Sequence, residues 1–307
     1  MDIKKCYSLS LFIIIGLLTF GCSNEDSSDK KQLTWDTEQD SSDIIIQIDE
    51  ELNGPESVVY YPQDDSYFIS NFNGDGKEED SNGYITKASH DGEIINAKFA
   101  TGTEEHPLHA PRGLYIANFT LWAVDINGVH GFDVKTGEQI SYVDFSQFDP
   151  GFLNDISTGP GGQLYITDSE KSRLYTIKGE EPSIVHESLP SPPNGITLNP
   201  KSNELVLAPW SGYVTFLTWK PGQKSPRYSI TVDGGNFDGI EYIDDRLLIA
   251  SQRDKSIHVA YEGKEQKLIK TPGLPADIGV NTKRKHLAVP YIAKNRVDIW
   301  QLPTPRQ

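Results

Sequence analysis

The stretch Pro193-Asn194-Gly195-Ile196-Thr197-Leu198 decides the fold, because the chain contains five relatives of it. Each relative has a first residue that is usually polar, then a small residue or an aspartate, then an aliphatic residue that opens a short apolar run. The five other copies begin at Glu56, Arg112, Asn154, Asp238 and Ala276. Successive copies are about 40 residues apart, and a strand-like repeat of this period predicts a β-propeller rather than a sandwich or an α/β sheet.

A second pattern follows each first one at a nearly constant distance. It is a short apolar run stopped by a turn-forming residue, which is typical of a second strand. Its copies are Phe68–Asn71, Trp122–Asp125, Tyr165–Asp168, Val206–Pro209, Leu248–Ser251 and Ala288–Pro290. A third strand and a turn towards a fourth follow in the same way. The sequence therefore predicts an all-β, six-bladed propeller of four-stranded blades.

The segment at about 43–49 is a predicted strand that belongs to none of the six repeats, and it predicts how the ring closes. The sixth unit ends near Leu302 without an outer strand. If Ile44–Ile48 supplies that missing strand, the ring closes and an unpaired sheet edge is removed. The alternative is that this segment is only an added edge strand.

The N-terminus predicts export and anchoring. Lys4 and Lys5 precede an apolar run that is too short to span a bilayer and has the length of a signal-peptide core. Leu18-Thr19-Phe20-Gly21-Cys22 resembles a bacterial lipobox, so we expect residues 1–21 to be removed and Cys22 to be lipidated in the cell envelope. A plain secretory signal is the alternative. The polar, acidic composition of residues 22–42 predicts a disordered tether. Residues 43–307 are predicted to form the propeller.

The net charge of −16 excludes some classes of partner. Nucleic acid requires basic side chains to neutralise its phosphates, so it is not expected. Cations and neutral small molecules remain compatible with this charge. We expect a monomer that binds a small molecule and contacts the membrane only through its anchor.

The opening residues of the six first strands should meet at one mouth of the central channel, although they are distant in sequence. They are Glu56, Arg112, Asn154, Asn194, Asp238 and, beside Ala276, Asp277. This set is rich in carboxylate and amide oxygens, which Ca²⁺ and Mg²⁺ prefer as ligands. A polar channel that only hydrogen-bonds water remains the alternative.

Four of these positions carry motifs that resemble those of the gluconolactonase/regucalcin (senescence-marker-protein-like) family. The motifs are Gly54-Pro55-Glu56-Ser57-Val58, Leu153-Asn154-Asp155, Pro193-Asn194-Gly195-Ile196 and Phe237-Asp238-Gly239-Ile240. The resemblance implies a six-bladed propeller with one axial divalent cation, Ca²⁺ in the first instance, with Mg²⁺ or Zn²⁺ as alternatives. The cation ligands it implies are Glu56, Asn154, Asn194 and Asp238. It also implies that Asp238, or the neighbouring Asp155, is the catalytic base of a lactonase.

Two features depart from the sugar-lactone members of that family. Phe152 stands where those members carry a substrate-binding arginine, so a sugar lactone is in doubt. Arg112 is the candidate to replace that charge, but Pro111-Arg112-Gly113 also resembles an NHL-type repeat. A metal-dependent lactonase-like hydrolase is therefore expected, with a non-catalytic NHL-like binding propeller as the alternative.

The rim of the same mouth is predicted to carry substrate contacts, because loops on a rigid scaffold carry specificity. The longest are Phe72–Asn82 and Gly102–Ala110. His109 is the histidine best placed to act as a base, with a structural role as its alternative. Candidates for an apolar wall are Trp210, Tyr291, Phe72 and Phe152. Asp125 and Asp168 end second strands and are expected to cap turns.

Overall fold

The computed structural model describes residues 43–303. The predicted signal peptide, the lipidation site Cys22 and the acidic tether lie outside the described residues. Within 43–303 the helices are single 3₁₀ turns at Ser146–Phe148 and Ile292–Lys294. None of the helices in this part of the chain is long and apolar enough to cross a bilayer.

Six four-stranded antiparallel sheets surround a central channel, as predicted. Blade 1 comprises β2 (Pro55–Tyr61), β3 (Ser66–Asn71), β4 (Tyr84–Ser89) and β5 (Ile94–Ala100). Blade 2 comprises β6 (Leu114–Ala117), β7 (Thr120–Val124), β8 (Gly128–Asp133) and β9 (Gln139–Asp144). Blade 3 comprises β10 (Leu153–Thr158), β11 (Leu164–Asp168), β12 (Arg173–Lys178) and β13 (Glu181–His186).

The remaining blades repeat this order. Blade 4 comprises β14 (Pro193–Asn199), β15 (Glu204–Pro209), β16 (Thr215–Trp219) and β17 (Arg227–Thr231). Blade 5 comprises β18 (Phe237–Ile243), β19 (Arg246–Ser251), β20 (Ser256–Tyr261) and β21 (Lys264–Lys270). Blade 6 comprises β22 (Gly279–Asn281), β23 (His286–Tyr291), β24 (Arg296–Gln301) and, from the N-terminus, β1 (Ile44–Ile48).

The N-terminal strand closes the ring. β1 pairs antiparallel with β24, with Ile44 opposite Trp300 and Ile48 opposite Val297. Blade 6 is thus built from both ends of the described chain, and β1 covers the edge of β24. The predicted closure is confirmed.

The core lies between adjacent blades, where the apolar face of one sheet packs against the next. Between blades 1 and 2, for example, Phe68, Ile85 and Phe99 are packed with Leu121 and Phe132 in one buried cluster. Alternating residues along each strand supply these contacts, because successive side chains point to opposite faces of the sheet. The stacked blades form a rigid frame around the channel.

Close packing around the channel explains the small second residue of the repeated motif. A Cβ atom added to Gly195 would lie 2.3 Å from the carbonyl oxygen of Asp238 in the next blade. Where the second residue has a side chain, it bonds the neighbouring blade instead. Ser57 Oγ accepts from the Leu114 amide at 3.1 Å, and Asp155 Oδ2 accepts from the Ile196 amide at 2.7 Å.

Candidate metal centre and ligand cavity

A cavity of about 430 Å³ opens at the channel mouth where the first strands begin. Its lining includes the four side chains that the motif resemblance marked as cation ligands: Glu56 from β2, Asn154 from β10, Asn194 from β14 and Asp238 from β18. These residues are far apart in sequence, and four different blades deliver them to one volume. The fold therefore brings these four residues together, as the sequence predicted.

A β-bulge in each of these four blades orients the side chains. In blade 1, Pro55 pairs with Asn71 and Val58 with Ile69, so Glu56 and Ser57 together oppose a single residue of β3. The same shift occurs at the equivalent positions of β10, β14 and β18. Such bulges re-aim side chains and are frequent next to functional sites. In blades 1 and 3 the extra amide is bonded by a hydroxyl, namely Ser70 Oγ for Ser57 and Thr167 Oγ for Asp155.

Three oxygen atoms of this group are buried and have no hydrogen-bond donor among residues 43–303. They are Glu56 Oε2, Asn194 Oδ1 and Asp238 Oδ1. Buried polar atoms are nearly always paired, so three orphaned acceptors around one cavity require an explanation. A bound cation would satisfy all three.

The amide groups at the site are oriented by their donor ends. Asn154 Nδ2 donates to Ser169 Oγ at 3.0 Å, and Gln252 Nε2 donates to Asp238 Oδ2 at 2.6 Å. Ser169 Oγ in turn donates to the carbonyl oxygen of Pro193 at 2.6 Å. These bonds fix the orientation of the side chains. The side-chain oxygen of Asn154 is not used by them and can bind a ligand.

Several buried carboxyl groups are crowded together at the site. Burial raises the pKa of Asp238 to about 8, and the nearby carboxylate of Asp277 adds to the rise. Burial and the carboxylates of Asp238 and Asp277 also hold the pKa of Glu56 well above its usual value, with partial compensation from Arg112. Ionising such groups without a counter-charge is unfavourable. The site therefore favours a cation.

The donor set fits a hard divalent cation. Among the described residues, no three histidine, cysteine, aspartate or glutamate side chains are grouped as a metal site. The candidate centre combines two carboxylates with two amide side chains, a composition suited to Ca²⁺ or Mg²⁺ rather than to metals that prefer thiolate or imidazole.

Apolar side chains form much of the cavity wall. Phe72, Phe152 and Trp210 line it as expected, together with Ile292. The expectation for Tyr291 was wrong. Tyr291 is 1% exposed and packs in the cluster between blades 5 and 6, because it is the last residue of β23 and points into the sheet interface.

Arg112 lies behind the wall rather than among the cavity-lining residues. Its guanidinium carbon is 3.9 Å from the centre of the Phe152 ring, and Nη1 donates to the carbonyl oxygen of Leu153 at 3.1 Å. Nη2 donates to the carbonyl oxygen of Gly76 in the long loop after β3. Arg112 thus supports Phe152 and secures that loop.

His109 and Asp155 are also outside the cavity lining. His109 Nδ1 accepts from the Ser81 amide at 3.1 Å, which fastens the far end of the same loop. Both oxygens of Asp155 accept backbone amides, those of Ile156 and Ile196, at 2.7 Å each. In this arrangement Asp155 connects blades 3 and 4 and has no oxygen directed at the cavity group.

The two strand-ending aspartates cap turns, as expected. Asp125 accepts the amides of His109 and Ala110 at 2.7 and 2.8 Å. Asp168 accepts the amides of Gly151 and Phe152 at 3.0 Å each. Each therefore holds the segment that enters its own blade's first strand, and Asp168 fixes the backbone of Phe152.

The sequence reasoning missed five lining residues: Lys77, Ser169, Glu170, Gln252 and Ile292. A positional signal for three of them exists. Phe72, Ser169, Trp210, Gln252 and Ile292 each directly follow the last residue of a second strand. Because that position repeats at the same mouth in these five blades, counting from the strand end would have found them. Lys77, from the long loop, and Glu170, which follows Ser169, have no such signal.

A second cavity, of about 490 Å³, lies at the other end of the channel, where the first strands finish. Its lining includes Tyr60, Tyr115, Tyr242 and the carboxylate residue Glu241. Removal from bulk water and the charge of Asp277 raise the pKa of Glu241 to about 8.

No protein-family model matches this chain, and no curated protein does either. Solved structures do resemble it. Regucalcin from Agrobacterium tumefaciens, described as calcium-binding, gives a TM-score of 0.64 at 14% identity, over 85% of this chain and 95% of the other. A gluconolactonase from Xanthomonas campestris gives 0.62 at 16% identity, over 82% and 87%. Virginiamycin B lyase from Staphylococcus aureus, with quinupristin, gives 0.58 at 13%, over 84% and 98%. At these identities the likeness shows the fold alone, a β-propeller.

Proposed function

We propose that this protein hydrolyses a lactone or related ester at an axial divalent cation. The observation that carries the proposal is the set of three orphaned buried oxygens on Glu56, Asn194 and Asp238, which face one cavity with Asn154. Solved structures with this fold include a gluconolactonase and a calcium-binding regucalcin, which supports the same assignment. We propose Ca²⁺ as the cation, with Mg²⁺ or Zn²⁺ as alternatives.

The residues divide the chemistry among them. Glu56, Asn154, Asn194 and Asp238 would hold the cation, which when bound polarises a carbonyl and lowers the pKa of water. Asp238 would accept the proton of the attacking water, with Gln252 orienting its carboxylate through Oδ2. Water adds to the carbonyl carbon, the ring C–O bond breaks, and the proton reaches the departing alkoxide to give a hydroxy acid. The apolar wall limits access of other water molecules.

The test combines thermal unfolding with a lactone hydrolysis assay, each with Ca²⁺, Mg²⁺, Zn²⁺ and a chelator. A cation at about 100 times its dissociation constant should stabilise the wild type by roughly 2.7 kcal/mol. Asp238→Asn should remove both the stabilisation and the hydrolysis. The matched control is Asp149→Asn. Asp149 is exposed and pairs with Lys171, so this variant should retain both the stabilisation by the cation and the hydrolysis.

Two results would separate the possibilities. A cation-dependent shift without hydrolysis of any lactone or ester would leave a binding propeller with a metal centre. The absence of a shift with every cation would overturn the metal site, and with it the hydrolase.

We also propose that the protein is anchored in the bacterial cell envelope through a lipid on Cys22. The support is the lipobox-like stretch before that residue. Expression of the full chain with a labelled fatty acid should label the wild type and not Cys22→Ala. Secretion of the wild type without label would indicate a plain signal peptide.

A further inference from the structure

We infer that the cavity selects a lactone or ester with an apolar alkyl or aryl substituent and disfavours a polyhydroxylated one. The inference rests on the proposed function, since it names the substrate class of the same site. It depends on which wall atoms are free to bind a substrate and which already have partners.

Two polar groups of the wall, the Ser169 hydroxyl and the Gln252 amide nitrogen, are already bonded to neighbouring protein atoms. Ser169 Oγ accepts from Asn154 and donates to Pro193, and the Gln252 amide donates to Asp238. Lys77 and Glu170 also line the cavity, but their side chains are 67% and 60% exposed and only 3.8 Å apart at closest, so they remain solvated at its edge. A ligand with several hydroxyl groups would have to displace these contacts or leave its own hydroxyls unpaired, and both are unfavourable.

The guanidinium that could have gripped a hydroxylated ligand is held away from the cavity. Arg112 is 1% exposed, stacks on Phe152 and donates to the main-chain carbonyls of Leu153 and Gly76. Phe152 stands in front of it, and its backbone is fixed by Asp168. The aromatic ring, rather than the cation behind it, is therefore the surface that a substrate meets.

The rest of the wall is apolar and large enough for a substituent. Phe72, Trp210 and Ile292 come from blades 1, 4 and 6 and complete the wall with Phe152. A volume of about 430 Å³ is in the range of sites that bind small organic ligands. Each substrate methylene buried against this wall should raise affinity by about fourfold.

The first measurement compares γ-butyrolactone, γ-octalactone and gluconolactone as substrates of the cation-loaded protein. We expect kcat/KM to rise with each added methylene and to be lowest for gluconolactone. A second measurement reports binding without turnover. It uses the corresponding alkyl-substituted γ-lactams, which are not hydrolysed, and measures their affinity by calorimetry with and without cation. Lactam affinity should rise with chain length in the same way.

Variants locate the selectivity. Trp210→Ala should reduce kcat/KM and lactam affinity for the longest chain by about tenfold, a larger loss than for the unsubstituted ring. Tyr228→Ala removes an aromatic ring that is 65% exposed on another part of blade 4 and serves as the control. Thermal unfolding of both variants checks that the fold is retained.

The outcomes distinguish this inference from the proposed function. Hydrolysis that is fastest for gluconolactone, or that is insensitive to chain length, would overturn the inference and keep the hydrolase. Chain-dependent lactam binding with no hydrolysis of any lactone would keep the apolar selectivity and overturn the hydrolase. If no lactam binds and no lactone is hydrolysed, both are wrong.

Discussion

At the scale of single residues, the second position of each repeated motif is constrained by the blade that follows it. Gly195 and Gly239 face Asp238 and Asp277 of the next blade so closely that a Cβ would lie 2.3 Å from an oxygen in either case. Ser57 and Asp155 occupy the same position and hydrogen-bond across the gap instead. The residue type at this position thus sets how two neighbouring first strands approach each other.

Gly195→Ala should destabilise the protein by about 1–3 kcal/mol, because the added methyl group meets a backbone carbonyl that cannot move away easily. Urea denaturation measures the loss. Gly131→Ala is the matched control within a strand, since its nearest new contact is a side-chain carbon at 3.0 Å, and it should cost less. Equal losses for the two variants would contradict this account of the motif.

Glu241 gives a pH-dependent prediction. Its pKa is raised from about 4.5 to about 8 in the folded state, so folding favours its protonated form and stability falls as pH rises between these values. Glu241→Gln should therefore gain stability relative to the wild type from pH 5 to pH 8, and the difference should then level off. Thermal unfolding across this range tests it, and a constant difference would show that Glu241 keeps its ordinary pKa.

At the scale of elements, the β-bulge is the device that turns a first strand into part of a binding site. Blades 1, 3, 4 and 5 carry it at the motif, and each supplies one of the candidate cation ligands. In blade 2 the first strand begins only at Leu114, the third residue of the motif, and Arg112 is directed behind the wall. Strand geometry therefore accounts for which openers reach the cavity.

β1 provides a prediction at the element scale, because its two faces differ. Ile48 is 2% exposed and packs in the core between blades 6 and 1, whereas Ile45 is 42% exposed. Ile48→Ala should cost about 2–5 kcal/mol, and Ile45→Ala should be nearly neutral. Chemical denaturation of the two variants checks this, and similar losses would mean that β1 contributes little beyond its backbone pairing.

At the scale of the whole molecule, several contacts join blade 6 to blade 1, and two of them involve distant parts of the chain most directly. β1, which leads into blade 1, pairs with β24 of blade 6. Arg284 donates to both oxygens of Asp65, at 2.5 and 2.7 Å, and the Tyr60 hydroxyl donates to Asp65 at 2.5 Å. Both join parts of the chain that are distant in sequence, so they act on the closed ring as a unit.

Asp65→Asn should reduce stability at neutral pH and progressively less in acid. The Arg284 guanidinium holds the pKa of Asp65 well below its ordinary 3.8, so the stabilisation is complete above that value and declines as pH falls through it. Unfolding measured at pH 7 and in steps from pH 4 to pH 2 should show the gap to the wild type narrowing. Because the pair is partly exposed, high salt should also narrow it. If the difference in stability between wild type and Asp65→Asn stays constant in acid, the loss of stability comes from packing rather than from the ion pair.

The repeated motif and its partner strands were enough to predict the blade number, the strand order and the ring closure. The reason is that a propeller is built from local hairpins with one recurring apolar pattern, and such patterns are visible in sequence. The same register placed Glu56, Asn154, Asn194 and Asp238 at one mouth. The prediction that Tyr291 lines the cavity was wrong, because the last residue of a strand and the residue after it point in different directions. Ile292, the residue after it, lines the wall instead.

The amino-acid sequence by itself determined the six-bladed ring and the oxygen-rich character of its mouth, since both follow from strand periodicity and residue type at repeated positions. Only the tertiary structure decided which of those groups are free. Hydrogen bonds between blades commit Asp155 to two backbone amides, and stacking places Arg112 behind Phe152. Within the described part of the chain, the oxygens Glu56 Oε2, Asn194 Oδ1 and Asp238 Oδ1 are left without donors. Such commitments depend on contacts between residues about 40 positions apart, which no local pattern encodes.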